Sequence, residues 1–335
     1  MADLSQTSPA AFNLEGGLVL NRSTFLMQPG EALQLENFEP DIQGGYRRIT
    51  GHTKFVNHIV PQTTASSEKV LMVSTFANKV LAARGEKIFS SASTELAISI
   101  SSSTGMTGSG TITVDSTSGF SSSGTLQIES EIFTYTGVTS TTFTGVTRAT
   151  ASTTAAAHII NVVVSESWTE IDTGRTSAGK YNFERFNFDG NDKIIFVDGD
   201  NAPVVFNTSL SATDVSASSV AGSKFVAVYR NHMFYAGKST TPQELVFSVP
   251  FDEDDFTSGS GAGSIKVDDT IVGLKVFRDN LFIFCENRIF NLTGSSLSDF
   301  AIKPVTRNIG CINGDTIQEF AGDSTVFSLL KKDKM

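Results

Sequence analysis

Residues 270–306 read TIVGLKVFRDNLFIFCENRIFNLTGSSLSDFAIKPVT, and this stretch decides the fold. Its apolar residues come in three short runs, which are separated by two polar groups, Arg278–Asn280 and Glu286–Arg288. Short apolar runs joined by tight polar turns predict three strands of an antiparallel meander. A meander of this size does not bury both faces of its sheet by itself, so it needs neighbouring sheets of the same kind.

A second copy of this pattern lies directly upstream, in residues 224–256. Residues 228–234 (VYRNHMF) align with residues 276–282 (VFRDNLF) at an offset of 276 − 228 = 48 residues. Weaker copies cover residues 186–206 and 69–90. Repeats of roughly 40 to 50 residues, each with a few strands, are typical of β-propeller blades. We therefore predict an all-β chain that folds as a β-propeller or partial propeller, with a β-sandwich of similar hairpins as the alternative.

The composition is that of a globular chain that is slightly poor in charge. Of 335 residues, 39% are hydrophobic and 18% are charged, and the net charge is −10. This acidic balance argues against a protein that grips phosphates over a broad surface, although it suits a channel past which DNA slides. No apolar run is long enough to span a membrane, and the N-terminus does not resemble a secretion signal. Cys285 and Cys311 are expected to be buried free thiols, with a disulfide between them as the alternative.

No group of residues in the sequence points to catalysis, a metal or a cofactor. The four histidines and two cysteines lack metal-ligand spacing, and neither a GxSxG motif nor a P-loop occurs. The acidic run 252–255 has the carboxylates that Ca²⁺ takes as ligands, but we favour a solvated loop. No pair of carboxylates is singled out by position for glycoside cleavage. We therefore predict that the protein is not an enzyme and binds no cofactor.

Two further segments differ from the repeats. Residues 16–55 carry frequent turn signals, which predict short strands in an extended N-terminal arm. Arg22, Arg47 and Arg48 form a basic patch in this arm. We predict that they and Tyr46 are assembly contacts to an acidic neighbouring subunit rather than to DNA. Residues 99–164 are rich in Ser, Thr and Gly, yet their apolar positions alternate. This alternation predicts a β-module inserted between the first blade and the rest, rather than a disordered loop.

Several short motifs carry a resemblance to a known family. They are GGL (16–18), NR (21–22), PGEA (29–32), LENF (35–38), GG (44–45), RR (47–48), GHTKF (51–55), VFRDNL (276–281), CEN (285–287) and NIGCI (308–312). This order resembles tailed-bacteriophage tail proteins of the hub, nozzle or packaged-DNA-stabilising type, in which a strand-rich arm leads into a β-propeller. The segment 110–148 looks like a small β-module found in phage virion proteins.

The resemblance implies a non-enzymatic structural component of a virion, most specifically a tail hub, nozzle or tube-extension subunit of the DNA exit channel. We expect an N-terminal arm (1–60), a propeller-like β-domain (61–98 and 165–335) and the inserted module (99–164). The implied partners are copies of the chain in a ring, neighbouring tail or head-to-tail connector proteins, and DNA that passes without sequence-specific binding. The protein would be made in the host cytoplasm and reside in the virion tail.

Three alternatives remain open at this point. One is a receptor- or glycan-binding adhesin with residues 99–164 as its exposed head. The others are a head-decorating virion protein and a propeller hydrolase. Relatives of this type are expected to continue through further strands after the apolar run 326–330, so we expect a shortened propeller, or one that the arm or another subunit closes.

Overall fold

The computed structural model describes residues 17–19, 23–28, 30–34, 36–40, 46–49, 51, 54–62, 68–177, 179–320, 325–327 and 330–332. The chain divides into two compact units, residues 1–54 and 55–335. Almost all regular structure is strand, so the all-β prediction is confirmed. No helix among the described residues is long and apolar enough to cross a membrane.

The main body of the second unit contains four antiparallel sheets of four strands each. The strands of the first sheet are Val70–Phe76, Lys79–Arg84, Lys87–Ser91 and Thr169–Asp172. Those of the second are Asn182–Phe188, Asn191–Val197, Val204–Asn207 and Ala212–Asp214. Those of the third are Phe225–Tyr229, His232–Ala236, Glu244–Phe247 and Gly263–Lys266. Those of the fourth are Ile271–Phe277, Asn280–Cys285, Ile289–Thr293 and Ala301–Thr306.

The first two strands of each sheet are joined by a two-residue turn, and this turn sets the register. Its two residues have positive φ in all four sheets, at Ala77–Asn78, Asp189–Gly190, Arg230–Asn231 and Arg278–Asp279. A two-residue turn with positive φ at both positions matches the right-handed twist of the strands it joins. The register therefore pairs Val228 with Met233 in the third sheet and Val276 with Leu281 in the fourth. The repeat that the sequence shows is thus a repeat of hairpins.

The four sheets pack face to face in chain order. Ile194 and Phe196 of the second sheet pack with Leu81 and Ile88 of the first. The alternate residues of the same strand, Ile195 and Val197, pack with the third sheet. One further apolar cluster joins the third sheet to the fourth. Because the middle sheets are covered on both faces, their inner strands are nearly continuous apolar runs rather than alternating ones.

This stack is a partial propeller. Beyond the fourth sheet, Cys311 and Ile317 pack on its far face against Phe284 and Ile289. On the first sheet, Met72 and Phe76 point to the second sheet, whereas Val73 between them is 64% exposed. The propeller prediction is therefore met in part: successive blades are present, and a closed ring of them is not seen among the described residues.

The inserted module is a seven-stranded antiparallel sheet over its own apolar core. Its strands are Ser93–Glu95, Thr107–Thr113, Gly124–Ile128, Glu131–Tyr135, Gly137–Val138, Thr142–Thr147 and Val163–Glu166. The first and last of these pair with each other, so the chain enters and leaves the module on neighbouring strands. The expectation that the module separates the first blade from the rest is wrong. It interrupts the first sheet, whose fourth strand, Thr169–Asp172, follows the module.

The remaining strands and helices are short. The strands are Gly17–Leu18, Glu31–Ala32, Phe38–Pro40 and Tyr46–Arg48 in the first unit, and Ile309–Cys311, Gln318–Phe320, Thr325–Phe327 and Leu330–Lys332 in the second. The 3₁₀ helices are Thr24–Leu26, Ser258–Ser260 and Gly314–Thr316.

Candidate functional site

The arm residues predicted as assembly contacts lie on one hairpin, except Arg22, which lies outside the described residues. Tyr46, Arg47 and Arg48 form a strand that pairs with Phe38–Pro40. The Tyr46 ring meets the Phe38 ring edge to face at 5.5 Å, so Tyr46 has a packing role. Arg47 Nε donates to Glu39 Oε1 at 2.8 Å. Arg48 is exposed on the same strand. Assembly through these residues stays a prediction.

A short segment, residues 55–62, fastens the module to the first sheet, and we call it the strap. The amide and side chain of Asn57 donate to Ser165 Oγ at 3.1 Å and to the Val163 carbonyl at 3.0 Å. The Trp168 indole donates to the His58 carbonyl at 3.1 Å, and Arg84 donates to the Val60 carbonyl. Hydrogen bonds thus connect one segment to both the module and the first sheet.

A buried carboxylate makes a second connection at the same junction. Glu166, on the last strand of the module, is 3% exposed and lies 3.0 Å from Lys79 Nζ of the first sheet. Its other oxygen accepts from the Ser121 amide at 3.0 Å. A buried carboxylate needs such partners, because an unpaired one carries a large desolvation cost. Burial, together with the charge of Glu166, raises the pKa of Tyr135, so this hydroxyl stays a donor to the carboxylate.

Gly119 of the module lies against the first sheet in close contact. It has φ +86°, and a Cβ at this position would lie 2.4 Å from the carbonyl oxygen of Asn78 in the first turn of the first sheet. The Asn78 side chain also donates to Ser118 Oγ at 3.0 Å. Only a glycine satisfies both the backbone conformation and the close contact.

Inside the module, an ion pair locks the loops to the sheet. Glu131 is fully buried and accepts from Arg148 Nε and Nη2, both at 2.8 Å. Arg148 also donates to the carbonyls of Ser101 and Thr104, and His158 Nε2 lies 2.9 Å from Glu131. Burial raises the pKa of Glu131, but the hydrogen bonds from Arg148, the Ala156 amide and His158 outweigh it and lower this pKa to about 2. These groups are fully paired, which is what a structural role requires.

An open cleft of about 500 Å³ lies beside the junction. The first sheet, the second sheet, the module and the strap all contribute to it, and we call it the junction cleft. Its wall includes Phe55, Asn78, Ser93, Ser118 and Arg185. The Arg185 guanidinium lies over the Phe76 ring, 5.3 Å from its centroid, and the Phe55 side chain is 54% exposed. As far as the structure describes the lining, it includes no Asp or Glu.

A second, smaller cavity of about 300 Å³ lies where the first strands of the second, third and fourth sheets converge. Glu184 and Lys275 line it from opposite strands, and Gly314 and Asp315 close one end. Asp315 pairs with Lys180 at 2.7 Å. Burial raises the pKa of Glu184 to about 7, although the charge of Lys275 opposes this. A carboxyl group of this kind in a cavity is a candidate proton donor or acceptor.

The cysteines and the acidic run, which the sequence offered as further candidate sites, have surroundings that indicate structural roles. Cys285 and Cys311 are buried free thiols, and burial raises the pKa of Cys285. Asp252 in the acidic run accepts the amides of Asp254 and Asp255, so it organises its own loop. In the part of the chain that the structure describes, no group of three or more His, Cys, Asp or Glu is placed to hold a metal ion.

The junction cleft and the environment of Glu184 were not predicted from the sequence. The cleft residues come from positions 55, 75–76, 78–80, 93, 118 and 185, and no local pattern links them. Glu184 stands in FERFNF, on the same face of its strand as the buried Phe186 and Phe188. An acid among the apolar residues of one face is the signal that could have indicated it.

Comparison with known proteins does not identify a family. The sequence matches no protein-family model, and no curated protein matches it. Among solved structures, a phage phi92 endosialidase is similar with a TM-score of 0.37 and 15% identity, over 71% of this chain and 48% of that one. Sqt1 of Saccharomyces cerevisiae gives a TM-score of 0.33 and 10% identity, over 78% and 80% of the two chains. A chain of a nidogen/laminin complex gives 0.30 and 9%, over 66% and 80%. This chain spans about half the length of the endosialidase chain.

Proposed function

We propose that this protein is a non-enzymatic structural component of a bacteriophage virion, and specifically a tail subunit of the hub, nozzle or tube-extension kind. The observation that carries the proposal is the connection of the four blades and the module to one another, from which we infer a stiff body. Three sheet-on-sheet interfaces join the four blades, and the strap and Glu166 fix the module to the first of them. A part that holds its shape while DNA moves past it needs such stiffness, whereas it needs no catalytic group.

Assembly into a ring would use surfaces that one copy leaves uncovered. The first sheet exposes Val73 on the face turned away from the second sheet, and Val70 on the same strand is 46% exposed. Exposed apolar side chains on the outer sheet of a stack suit a contact with another copy, and head-to-tail contacts of this type generate rings. In the arm, the exposed Arg48 offers positive charge to an acidic neighbour, whereas Arg47 is already paired with Glu39 and would contribute through this pair.

The charge of the chain fits the proposed position beside DNA. A net charge of −10 repels a polyanion, so DNA would pass without lasting contacts. The neighbouring tail or head-to-tail connector proteins would then be bound through protein surfaces alone.

Virion incorporation is the direct test. An epitope-tagged chain is expressed during infection, the particles are purified, and the chain is measured by mass spectrometry and located by immunogold electron microscopy. We expect a fixed copy number at the tail. Absence from purified particles would refute the proposal, and label over the head surface would favour a head-decorating role.

The arm is tested in the same system. A chain without residues 1–54 is expected to stay soluble but to be excluded from particles, because the second unit keeps its own cores while the arm contacts are lost. A full-length chain with Arg47→Gln and Arg48→Gln separates the basic patch from the rest of the arm. Normal incorporation of the truncated chain would show that the arm is not an assembly element.

The non-enzymatic part of the proposal needs its own measurement. The purified chain is incubated with bacterial surface polysaccharides and release of reducing ends is measured, with Glu184→Gln as the control for the cavity carboxyl. Turnover that disappears in this variant would contradict the proposal.

A further inference from the structure

We infer that the junction cleft is a binding site for an anionic saccharide, a sugar that carries a carboxylate or a phosphate ester, with Arg185 as the residue that recognises the negative charge. This inference goes beyond the structural role proposed above and does not depend on it, because a rigid subunit has no need of a charged cleft.

Arg185 presents its guanidinium to the cleft without a carboxylate partner among the described residues. Its guanidinium rests on the Phe76 ring and is exposed on the other side. Among the described residues it has no acid partner, whereas Arg47, Arg148, Arg175 and Arg288 are each paired with a carboxylate. Stacking on an aromatic ring pre-orients the planar fork of donors, and such a fork binds a carboxylate or phosphate through two hydrogen bonds.

The charge of the cleft is opposite to that of the chain as a whole. The chain as a whole is strongly acidic, yet the described residues of the cleft lining include two cationic side chains, Arg185 and Lys79, and no Asp or Glu. Lys79 is already paired with Glu166, so the remaining positive charge belongs to Arg185. A single free cation in a polar cleft matches a ligand with one or two negative charges. It does not match a nucleic acid, because phosphate backbones are bound by many cations at once.

The rest of the lining suits a sugar ring. Hydroxyl and amide groups of Thr75, Asn78, Ser93 and Ser118 face the same space as the exposed aromatic ring of Phe55. Hydroxyls and amides donate and accept hydrogen bonds, as the hydroxyls of a sugar require, and an aromatic face covers the apolar side of a ring. At about 500 Å³ the cleft is within the range of small-molecule sites.

The junction cleft adjoins a second cleft, and the two share Phe76 and Arg185. Arg185 and Phe76 also line a neighbouring cleft of about 370 Å³, whose wall includes Asn187, Asp192 and Lys193. Arg185 therefore lies between two adjoining polar spaces, so a second sugar unit linked to the first has room beside it.

The test uses the full-length chain and isothermal titration calorimetry. The probes are a disaccharide that contains glucuronic acid, glucose 6-phosphate, and uncharged lactose. We expect one or both charged sugars to bind and lactose to bind far more weakly. The charged sugar that binds more tightly tells whether the natural anion is a carboxylate or a phosphate. Removing a charge-assisted hydrogen bond weakens binding by roughly 10- to 100-fold, and Arg185→Gln is expected to lose this much.

Two variants accompany this measurement. Arg230→Gln is the matched control, because Arg230 is also an exposed arginine stacked on an aromatic ring, 5.6 Å from the Tyr229 centroid, and it does not line the cleft. It is expected to bind as the unaltered chain does. Phe55→Ala is expected to weaken both charged sugars without changing the preference for charge. The inference is overturned if no charged sugar binds at millimolar concentration, if lactose binds equally well, or if Arg185→Gln keeps full affinity while its thermal midpoint is unchanged.

Discussion

The protonation of Glu184 gives the sharpest prediction, because its sign and size both follow from the structure. The pKa of this carboxyl is raised from an ordinary 4.5 to about 7, mainly by burial. Between these values the folded chain holds a proton that the unfolded chain has lost. Stability therefore falls as the pH rises from about 4.5 to 7, and then becomes level. At about 1.4 kcal/mol per pH unit the upper limit of this loss is about 3.5 kcal/mol, and solvent screening at a partly exposed site reduces it to about 2 kcal/mol.

The change Glu184→Gln removes this dependence, since the amide resembles the protonated acid. We expect the variant to match the original chain at pH 4.5 and to exceed it by about 2 kcal/mol at pH 7.5, a difference of a few degrees in the thermal midpoint. Scanning calorimetry of both chains over this pH range measures it. Glu95→Gln, which removes a carboxylate from an exposed position on the module, is the matched control.

Lys275→Met provides a second, independent check. The charge of Lys275 lowers the pKa of Glu184, so its removal should extend the sloping part of the stability curve to higher pH. Parallel stability curves for the original chain and Glu184→Gln across the whole pH range would refute the reasoning. It would also be refuted if the original chain became more stable than this variant as the pH rises from 4.5 to 7.5.

Three further predictions concern stability. Gly119→Ala places a Cβ against the Asn78 carbonyl, so we expect a loss of about 1 to 3 kcal/mol and faster proteolysis at the module junction, measured by limited digestion. Arg148→Met leaves Glu131 buried without its main partner; we expect a loss of about 3 to 5 kcal/mol in chemical denaturation, and the double variant Arg148→Met with Glu131→Leu should recover much of it. Replacing Arg278–Asp279 by Asn-Gly suits the positive φ values of this turn, so we expect a gain of about 1 kcal/mol in thermal unfolding, and a loss would contradict the assigned turn geometry.

The sequence predicted the strands best where both faces of a sheet are buried. In the fourth sheet the three predicted strands and the turn at Arg278 are present. The fourth strand, Ala301–Thr306, escaped prediction because it lies at the edge of the sheet, is largely exposed, and contains Pro304, so it shows neither an apolar run nor clear alternation.

The candidate sites were harder to predict because they depend on distant parts of the chain. Arg185 and Asn78 are more than a hundred residues apart in sequence, yet they line one cleft. The grouping of Tyr46, Arg47 and Arg48 was visible locally, but Glu39 as the partner of Arg47 depends on the hairpin register. The raised pKa of Glu184 depends on how three sheets converge, which a periodic pattern in one strand does not encode.

The paired strands at the base of the module have a consequence for how such chains diversify. Because Ser93–Glu95 and Val163–Glu166 run side by side, the two ends of the segment between them are next to each other in space. Another domain with adjacent termini can be grafted at that point, or the segment cut back to a tight loop, while the surrounding hydrogen-bond ladder stays as it is. The four-sheet body can thus accept a different inserted domain, through evolution or by engineering, without redesign of its own core.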